Sequence, residues 1–334
     1  MRIAFLGTGS IAERHIDAIR RTNSGEIVWL ASRSSERARA MAERKGVTRW
    51  TDSVAQIMAD PQVDTVVVAY PTFLHADLAL HALRAGKHVV VEKPIAETYE
   101  EAHDMIDAAR RAGRLLLVCQ LRRFWPTYAE VKRFVASGEV GEVHRLTFDF
   151  QACWSWANRG WRIERPGGYF LDMHVHEVDL LSWWAGASPI GVMAAGQNQA
   201  DREATVLLRY PNALGQISYS GRVPGKNYPT GSTSNVQVVG DDGWAEVALV
   251  GGTVRLTTCR GGTTSTIDRT IGEENAACWD RMWTAFTEAL RNEAPPPLTP
   301  EEAGASLRAA LAAVTAMEQP REVELPGPPV LYSA

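Results

Sequence analysis

A lysine that follows a short apolar run is the first residue of this sequence that could do chemistry. Lys93 comes after His88–Val91, which are typical of a buried strand, and it lies between Glu92 and Pro94. The chain contains only five lysines against thirty arginines, so a lysine at the end of a strand stands out. Its ammonium group can hydrogen-bond a carbonyl or hydroxyl oxygen and relay a proton, while Glu92 can hold that ammonium or a cofactor ribose. A surface ion pair is the competing interpretation, and it fits poorly with a strand that ends in a proline turn.

A second polar cluster contains Asp172 and His176, which are four residues apart and would share one face of a helix. A carboxylate beside an imidazole fixes its tautomer and raises its basicity, which is the arrangement of a general base. His174 and His176, with Glu177 or Asp179, raise the possibility of a metal site. Residues two apart on a helix point in different directions, however, and no third ligand spacing follows. We therefore expect no metal.

Aromatic and arginine side chains crowd the segment just before this predicted helix: Trp154, Trp156, Trp161, Arg162 and Arg165. Flat aromatic faces stack on the C–H faces of a sugar ring, and neighbouring polar groups hydrogen-bond its hydroxyls. The segment therefore indicates a carbohydrate-binding surface. A small aromatic core is an equally good interpretation for Trp154 and Trp156.

A glycine-rich turn with the pattern GxGxxA follows the first predicted strand and opens the first predicted helix. Gly7 permits the tight turn, Gly9 lets a pyrophosphate approach the backbone, and the small Ala12 allows close packing of helix on strand. Phosphate oxygens would meet free N–H groups at the helix N-terminus. The cofactor-binding candidates here are Gly7, Gly9, Ser10, Ile11 and Ala12. A tight turn without a ligand is the alternative.

The end of the second predicted strand distinguishes the two nicotinamide dinucleotides. An acidic residue there would bind the adenosine ribose and repel a 2′-phosphate. This chain instead has Ser32, Arg33 and Ser34, with Arg37 one turn further on. Hydroxyls and a guanidinium suit a phosphate, so we expect NADP to be favoured over NAD. The alternative is a helix-capping serine followed by a solvated arginine.

The elements that must position these residues are predicted from hydrophobic periodicity. In the first third of the chain, short β-branched runs alternate with helical patterns, which predicts a doubly wound parallel sheet of the Rossmann type over residues 1–122. The strand signals lie at Arg2–Leu6, Glu26–Ala31, Thr65–Ala69, His88–Val91 and Leu115–Val118. Beyond residue 122, a helix, many alternating runs with glycine turns, and two closing helices predict an α+β domain over 123–334. We expect its large open sheet to be antiparallel or mixed.

The composition excludes several classes of protein. The chain of 334 residues is 45% hydrophobic and 22% charged with a net charge of −4, which is average for a globular protein and gives no electrostatic reason to bind nucleic acid. No apolar run approaches the length of a membrane span, and no secretory signal precedes the first strand. The four cysteines have no metal-binding spacing. We expect a cytoplasmic protein with reduced thiols.

Motifs along the whole chain carry a family resemblance. The segments GTGSIAERH, YPTFLH, AGKHVVVEKPIA, LRRFWP, GEVGEV, GWR and GGYFLDMHVHEVD are similar to those of the Gfo/Idh/MocA oxidoreductases. The resemblance implies a Rossmann domain followed by an α+β domain whose open sheet commonly builds homodimers or homotetramers. Members mostly oxidise or reduce sugars, inositols and related polyols with NAD(H) or NADP(H).

The resemblance also implies roles for particular residues. Lys93, Asp172 and His176 match the proton-transfer group of the inositol-dehydrogenase-like members. The resemblance implies substrate contacts at Lys93, Arg122, Asp172, His174 and His176, and the aromatic segment adds Trp154 and Arg165 as candidates. The further implied cofactor contacts are Tyr70, Pro71, Thr72, Leu74, His75, Glu92, Lys93, Gln120, Trp161 and Arg162.

Two positions depart from the family pattern. Ser32 replaces the acid of the NAD-preferring members, and His174 stands where many members have a small residue, which would add a substrate contact or narrow the pocket.

The expected activity is hydride transfer between NAD(P) and a secondary alcohol or ketone carbon of a sugar, cyclitol or related polyol. Two alternatives belong to the same family. One is a glycosidase that uses NAD for a transient oxidation of its sugar, and the other is a sugar sensor that binds NAD(P) without catalysis. Sensors tend to lose the lysine and the histidine, and both are present here.

Overall fold

The computed structural model describes residues 1–153, 164–165, 168–196, 203–227, 231–319 and 321–333. The chain forms two compact units. The first comprises Met1–Gln120 and Trp279–Gly304, and the second comprises Leu121–Cys278 and Ala305–Ala334. The predicted division into 1–122 and 123–334 assigned residues 279–304 to the second domain, whereas in the structure they return to the first unit.

The first unit is built on a six-stranded parallel sheet with the order β3-β2-β1-β4-β5-β6. Its strands are β1 Arg2–Leu6, β2 Glu26–Ala31, β3 Trp50–Thr51, β4 Thr65–Val68, β5 His88–Glu92 and β6 Leu116–Cys119. Its helices are α1 Ser10–Arg21, α2 Ser35–Arg44, α3 Val54–Ala59, α4 His75–Arg84 and α5 Tyr99–Ala112, with a 3₁₀ turn over Thr72–Leu74. This order is that of the dinucleotide-binding doubly wound fold, which confirms the predicted fold class.

Local sequence explains these elements. Every residue of β4 is buried, as expected for a parallel strand covered by helices on both faces. Helix α5 begins with a capping box, in which Thr98 accepts the N–H of Glu101 and the Glu101 carboxylate accepts the N–H of Thr98. It ends at Gly113, which adopts the left-handed conformation that favours glycine. The two-residue strand β3 was not predicted because it is too short to show a period.

The second unit contains a nine-stranded mixed sheet with the order β14-β13-β12-β11-β7-β10-β9-β8-β15. Its strands are β7 Val143–Gln151, β8 Gly191–Gly196, β9 Glu203–Arg209, β10 Leu214–Ser220, β11 Thr233–Gly240, β12 Gly243–Val250, β13 Thr253–Arg260, β14 Thr263–Thr270 and β15 Val323–Glu324. Neighbouring strands are antiparallel except β7 and β10, which are parallel. The sheet is therefore mixed, which is one of the two arrangements expected from the alternating runs.

Four helices complete the described elements: α6 Pro126–Ala136, α7 Gly168–Ala185, α8 Ile271–Leu290 and α9 Pro300–Glu318, with a 3₁₀ turn over Leu121–Phe124. Helix α7 packs against β7 and β10, and nearly all of its residues are buried. A polar side chain on α7 is therefore held away from solvent and needs a partner. Among the residues that the structure describes, none of the helices combines the length and the apolar character needed to span a bilayer.

Candidate active site

The predicted cofactor-binding residues of the first unit lie at the carboxyl edge of its sheet. Gly7 follows β1, Ser32 follows β2, Tyr70 lies just after β4, Lys93 follows β5 and Gln120 follows β6. Because all five strands are parallel, these positions share one edge, where open α/β sheets bind their ligands. The fold thus collects residues that are far apart in the sequence.

The turn after β1 has room for a phosphate group. Gly7 has a φ of 119°, and a Cβ there would collide with the carbonyl oxygen of Ala69. Gly9 is exposed, and a Cβ there would meet no atom within 4 Å, so the backbone is open to a ligand. No side chain caps the N-terminus of α1, whose first residues are Ser10, Ile11 and Ala12. The uncapped N–H groups and the open glycine fit the pyrophosphate of a dinucleotide.

The loop after β2 holds the residues predicted to distinguish the two dinucleotides. Ser32 is buried, whereas Arg33 and Arg37 are exposed. Ser34 caps α2 by accepting the N–H of Arg37 at 3.3 Å. One of the two hydroxyls considered for a phosphate therefore serves the helix, while both guanidinium groups face solvent.

The loop after β4 is fixed by His75. Its imidazole is buried, with Nδ1 2.9 Å from the Pro94 oxygen and Nε2 2.8 Å from the Tyr70 oxygen. Burial lowers the pKa of His75, and the two carbonyl oxygens oppose that shift. Thr72 is also buried, and Pro71 and Leu74 are half-buried. His75 thereby ties the loop after β4 to the loop after β5.

At the end of β5, Glu92 is engaged with His15 of α1. The Nε2 atom of His15 lies 2.8 Å from Oε1 of Glu92, and the Trp283 indole donates to Nδ1 of His15 at 3.0 Å. Burial acts to raise the pKa of Glu92, but the hydrogen bond from His15 and the nearby charge of Lys93 bring that pKa below its ordinary value. Lys93 is half-buried and is followed by a cis peptide bond to Pro94. Neither His15 nor Trp283 was among the candidate residues taken from the sequence.

His15, Glu92 and Cys119 present potential metal ligands within 4.8 Å of one another. The Cys119 thiol hydrogen-bonds Glu92, and burial together with that carboxylate raises its pKa well above the usual value. A protonated thiol is a poor metal ligand, since metals bind the thiolate. The donor chemistry therefore fits a hydrogen-bonded cluster better than a metal site.

In the second unit, Asp172, His174 and His176 lie on α7, as predicted. Asp172 is buried and His176 is half-buried. His174 is fully buried and stacks on Tyr219, with ring centroids 3.8 Å apart. Its Nδ1 atom is 3.4 Å from Oε2 of Glu177. The role of His174 as a substrate contact stays a prediction, and its observed neighbours are aromatic rings and the Glu177 carboxylate.

Arg122 pairs with the fully buried Glu177. The Nη1 atom of Arg122 lies 2.7 Å from Oε1 of Glu177, and the guanidinium lies over the rings of Phe148 and Phe150. Burial acts to raise the pKa of Glu177, but Arg122 and then His174 and His176 outweigh it and lower that pKa to about 2. Glu177, which the sequence offered only as a metal ligand, is thus the counter-ion of the predicted substrate-side arginine.

For several predicted site residues, the structure does not test the assigned role. Trp154, Trp156, Trp161 and Arg162 lie outside the described residues. Arg165 is described and exposed, and Gln120 is buried. Their assigned roles therefore stay predictions.

Two family models match the chain. One is described as the oxidoreductase family with an NAD-binding Rossmann fold and matches residues 1–120, and the other is the GFO/IDH/MocA C-terminal domain and matches residues 128–246. Together they span more than half of the chain, which therefore belongs to the Gfo/Idh/MocA oxidoreductase family.

Particular relatives align along nearly the whole chain. A 1,5-anhydro-D-fructose reductase of Ensifer adhaerens is 28% identical over 97% of this chain and 98% of that protein. A scyllo-inositol 2-dehydrogenase (NAD(+)) of Bacillus subtilis is 25% identical over 97% of this chain and 96% of that protein. A probable dehydrogenase from Thermotoga maritima has a crystal structure with a TM-score of 0.82 at 25% identity, over 97% of this chain and 98% of that one. This protein is accordingly an oxidoreductase with an NAD-binding Rossmann domain.

Proposed function

We propose that this protein transfers a hydride between a nicotinamide cofactor and a secondary alcohol or ketone carbon of a sugar, cyclitol or related polyol. The observation that carries the proposal is the position of Lys93, half-buried at the carboxyl edge that also holds the open Gly9 turn. A proton-transfer group at the ligand-binding edge of a dinucleotide fold is the arrangement that alcohol oxidation needs. The names of the full-length relatives, a sugar reductase and an inositol dehydrogenase, support this substrate class.

The proton transfer is assigned to three residues. His176, oriented by Asp172, takes the hydroxyl proton of the substrate in the oxidation direction. Lys93 stabilises the developing alkoxide and relays the proton. Arg122, held in place by Glu177, orients the substrate hydroxyls from the substrate side of the site. Bound NAD(P) would supply the hydride chemistry, while the turn from Gly7 to Ala12 would hold its pyrophosphate.

We further propose that NADP is favoured over NAD. The support is the missing acid at Ser32 and the two exposed guanidinium groups of Arg33 and Arg37. A Ser32→Asp variant places a carboxylate where a 2′-phosphate would lie, so its ratio of kcat/KM for NADP to that for NAD should fall at least about tenfold. A wild type that already prefers NAD contradicts this part of the proposal and leaves the hydride transfer standing.

The reaction is tested by the near-ultraviolet absorbance of the reduced nicotinamide. The protein is incubated with NADP and with NAD against a panel of aldoses, inositols and their keto forms. We expect one substrate class to reduce one of the cofactors. A hydrolysed glycoside without net cofactor turnover would identify the glycosidase alternative, and tight cofactor binding without any reaction would identify a sensor.

The role of Lys93 has its own test. Lys93→Ala should lower turnover by about 10²–10⁴-fold, since that is the usual size of a general acid–base contribution, while cofactor binding is nearly unchanged. Equal losses of turnover and of cofactor affinity would contradict the assignment.

We propose a cytoplasmic location on the basis of the thiols. The structure shows Cys119, Cys153, Cys259 and Cys278 as free cysteines, which suit a reducing compartment.

A further inference from the structure

Three side chains form a hydrogen-bonded series that ends beside Lys93. The indole Nε1 of Trp283 is 3.0 Å from Nδ1 of His15, and Nε2 of His15 is 2.8 Å from Oε1 of Glu92. The other carboxylate oxygen, Oε2, accepts the backbone N–H of Lys93 at 3.3 Å. Trp283 and His15 are completely buried, and the side chain of Glu92 is 15% exposed.

The direction of these hydrogen bonds follows from the chemistry of the donors. An indole nitrogen only donates, so Nδ1 of His15 must be the acceptor and the proton of the neutral ring must lie on Nε2. That proton is then donated to Glu92. The N–H group of Trp283 thus sets the tautomer of His15, and the imidazole presents a proton on Nε2 to the carboxylate.

Glu92 is surrounded by groups that favour its ionised form, in which both carboxylate oxygens accept hydrogen bonds. The charged or titratable side chains acting on it are His15, Lys93 and His75, and the Cys119 thiol hydrogen-bonds it from β6. Although burial opposes its charge, the net effect of these groups lowers the pKa of Glu92. The ionised carboxylate can therefore accept from His15 with one oxygen and from the Lys93 backbone with the other.

We propose that His15 and Trp283 are positioning residues for Lys93. Trp283 sets the tautomer of His15, His15 holds Glu92 in place as an acceptor, and Glu92 holds the backbone at the residue that moves the proton. The kinetic consequence rests on the proposed function of Lys93, whereas the hydrogen-bond series itself does not.

A neighbouring tryptophan supplies the control for packing. Trp279 also contacts His15, edge-on with ring centroids 4.9 Å apart, and the Trp283 ring does so at 5.7 Å. In the described part of the chain, Trp283 donates a hydrogen bond to the imidazole and Trp279 does not. Replacing either tryptophan by phenylalanine removes a similar volume, but only Trp283→Phe removes the donor.

The kinetic experiment compares Trp283→Phe with Trp279→Phe, and His15→Gln with His15→Phe. We expect Trp283→Phe and His15→Phe to lower kcat about 10–100-fold, because a displacement of about 1 Å in a reacting group costs on the order of 100-fold, with little change in KM. The acid limb of the pH profile of kcat should move to higher pH. Without the hydrogen bond from His15, the pKa of Glu92 rises because burial disfavours its charged form. The kcat of Trp279→Phe should stay within about twofold of the wild-type value. His15→Gln keeps an N–H donor, so its kcat should be higher than that of His15→Phe.

Two measurements on the protein without substrate or cofactor keep the inference independent of the reaction. In ¹⁵N spectra of histidine-labelled protein, the His15 signals, identified by their loss in His15→Gln, should show a protonated Nε2 and an unprotonated Nδ1 near neutral pH. Amide hydrogen exchange at Lys93 should become at least about tenfold faster in Trp283→Phe and not in Trp279→Phe.

The outcomes separate the two proposals. A proton on Nδ1 of His15, or equal effects of the two tryptophan substitutions on exchange and kcat, overturns the positioning role. Absence of turnover with every substrate, with the expected tautomer and exchange, overturns the proposed function and leaves the hydrogen-bond series as a structural device at Lys93.

Discussion

Glu177 is fully buried in α7, and Arg122 lies against it as its counter-ion. Removing water from a carboxylate costs several kcal/mol, and the charge persists chiefly because the guanidinium is within hydrogen-bond distance, with His174 and His176 contributing. The arginine predicted to face the substrate is therefore also a structural residue. Its guanidinium is oriented by the pair and by the rings beneath it, which is the kind of preorganisation that a binding site requires.

The first prediction concerns acid stability. The pKa of Glu177 is near 2 in the folded protein and near 4.5 in the unfolded chain, so the pair contributes about 3 kcal/mol above pH 4.5 that is lost as the pH falls toward 2. Glu177→Gln should flatten that part of the curve of unfolding free energy against pH. Arg122→Met should cost about 3–5 kcal/mol at neutral pH because it leaves a buried carboxylate unpaired.

Urea denaturation at several pH values measures both effects. Glu43→Gln, in the exposed pair with Arg39, is the control and should change nothing measurable. A neutral-pH stability of Arg122→Met equal to that of wild type would contradict the structural role of the pair.

The second prediction concerns His75, whose pKa burial lowers. Its unfolded form takes up a proton near pH 6.5, and the folded form does so only at lower pH. Stability should therefore fall as the pH decreases below about 6.5, and His75→Gln should remove part of that slope. Melting temperatures measured between pH 7.5 and pH 5 test this prediction. His103→Gln, at an exposed position on α5, should keep the slope.

At the scale of elements, a second buried ion pair joins separate segments of the second unit. Arg123, in the 3₁₀ turn before α6, donates to both carboxylate oxygens of Asp179 on α7, at 2.7 and 2.8 Å. Ser306 of α9 donates to the same carboxylate at 3.1 Å, and its hydroxyl is 2.7 Å from that of Tyr332 in the C-terminal segment. Asp179, considered from sequence only as a metal ligand, thus connects three elements.

The third prediction follows from that network. Asp179→Asn should destabilise the protein by about 3 kcal/mol, because it leaves a buried guanidinium without its counter-ion. Ser306→Ala should cost about 1 kcal/mol, the usual contribution of one hydrogen bond. Since both changes act on one carboxylate, the double variant should lose less than the sum in chemical denaturation. Strict additivity would show that the serine and the carboxylate act separately.

At the scale of the whole molecule, the sheet of the second unit leaves apolar side chains exposed. Met193 on β8 and Leu207 on β9 are opposite each other in the ladder and are 48% and 45% exposed. Leu214 on β10 is 63% exposed. Exposed apolar residues on a broad sheet are what an interface between copies of the chain would cover, which fits the homodimer or homotetramer that the family resemblance implies.

The fourth prediction is therefore an oligomer that depends on this face. Light scattering after size exclusion should give a mass of two or four chains, and Leu207→Glu should shift the protein toward a monomer. Thr205→Glu, at an exposed but polar position of the same strand, is the matched control and should shift it less. A monomeric wild type would contradict the prediction.

The sequence alone predicted five of the six strands of the first sheet, and much of the second sheet, because periodicity is a local property. Buried β-branched runs such as Thr65–Val68 indicate strands wherever they occur, and the glycines of GxGxxA specify a turn that few other residues tolerate. The four-residue spacing of Asp172 and His176 likewise places both on one helix without knowledge of the fold. These features determined the fold class, the family and the candidate residues.

Only the tertiary structure decided which of these residues are partners. Glu92 follows His15 by 77 positions and Trp283 follows His15 by 268, and no period relates them. Trp283 reaches His15 because the chain returns to the first unit at residue 279. Hydrogen bonds need donor and acceptor within about 3 Å, and that precision comes from the packing of whole elements, which local sequence does not encode. The same reason explains why Glu177 and Asp179, neighbours on one helix, serve two different arginines.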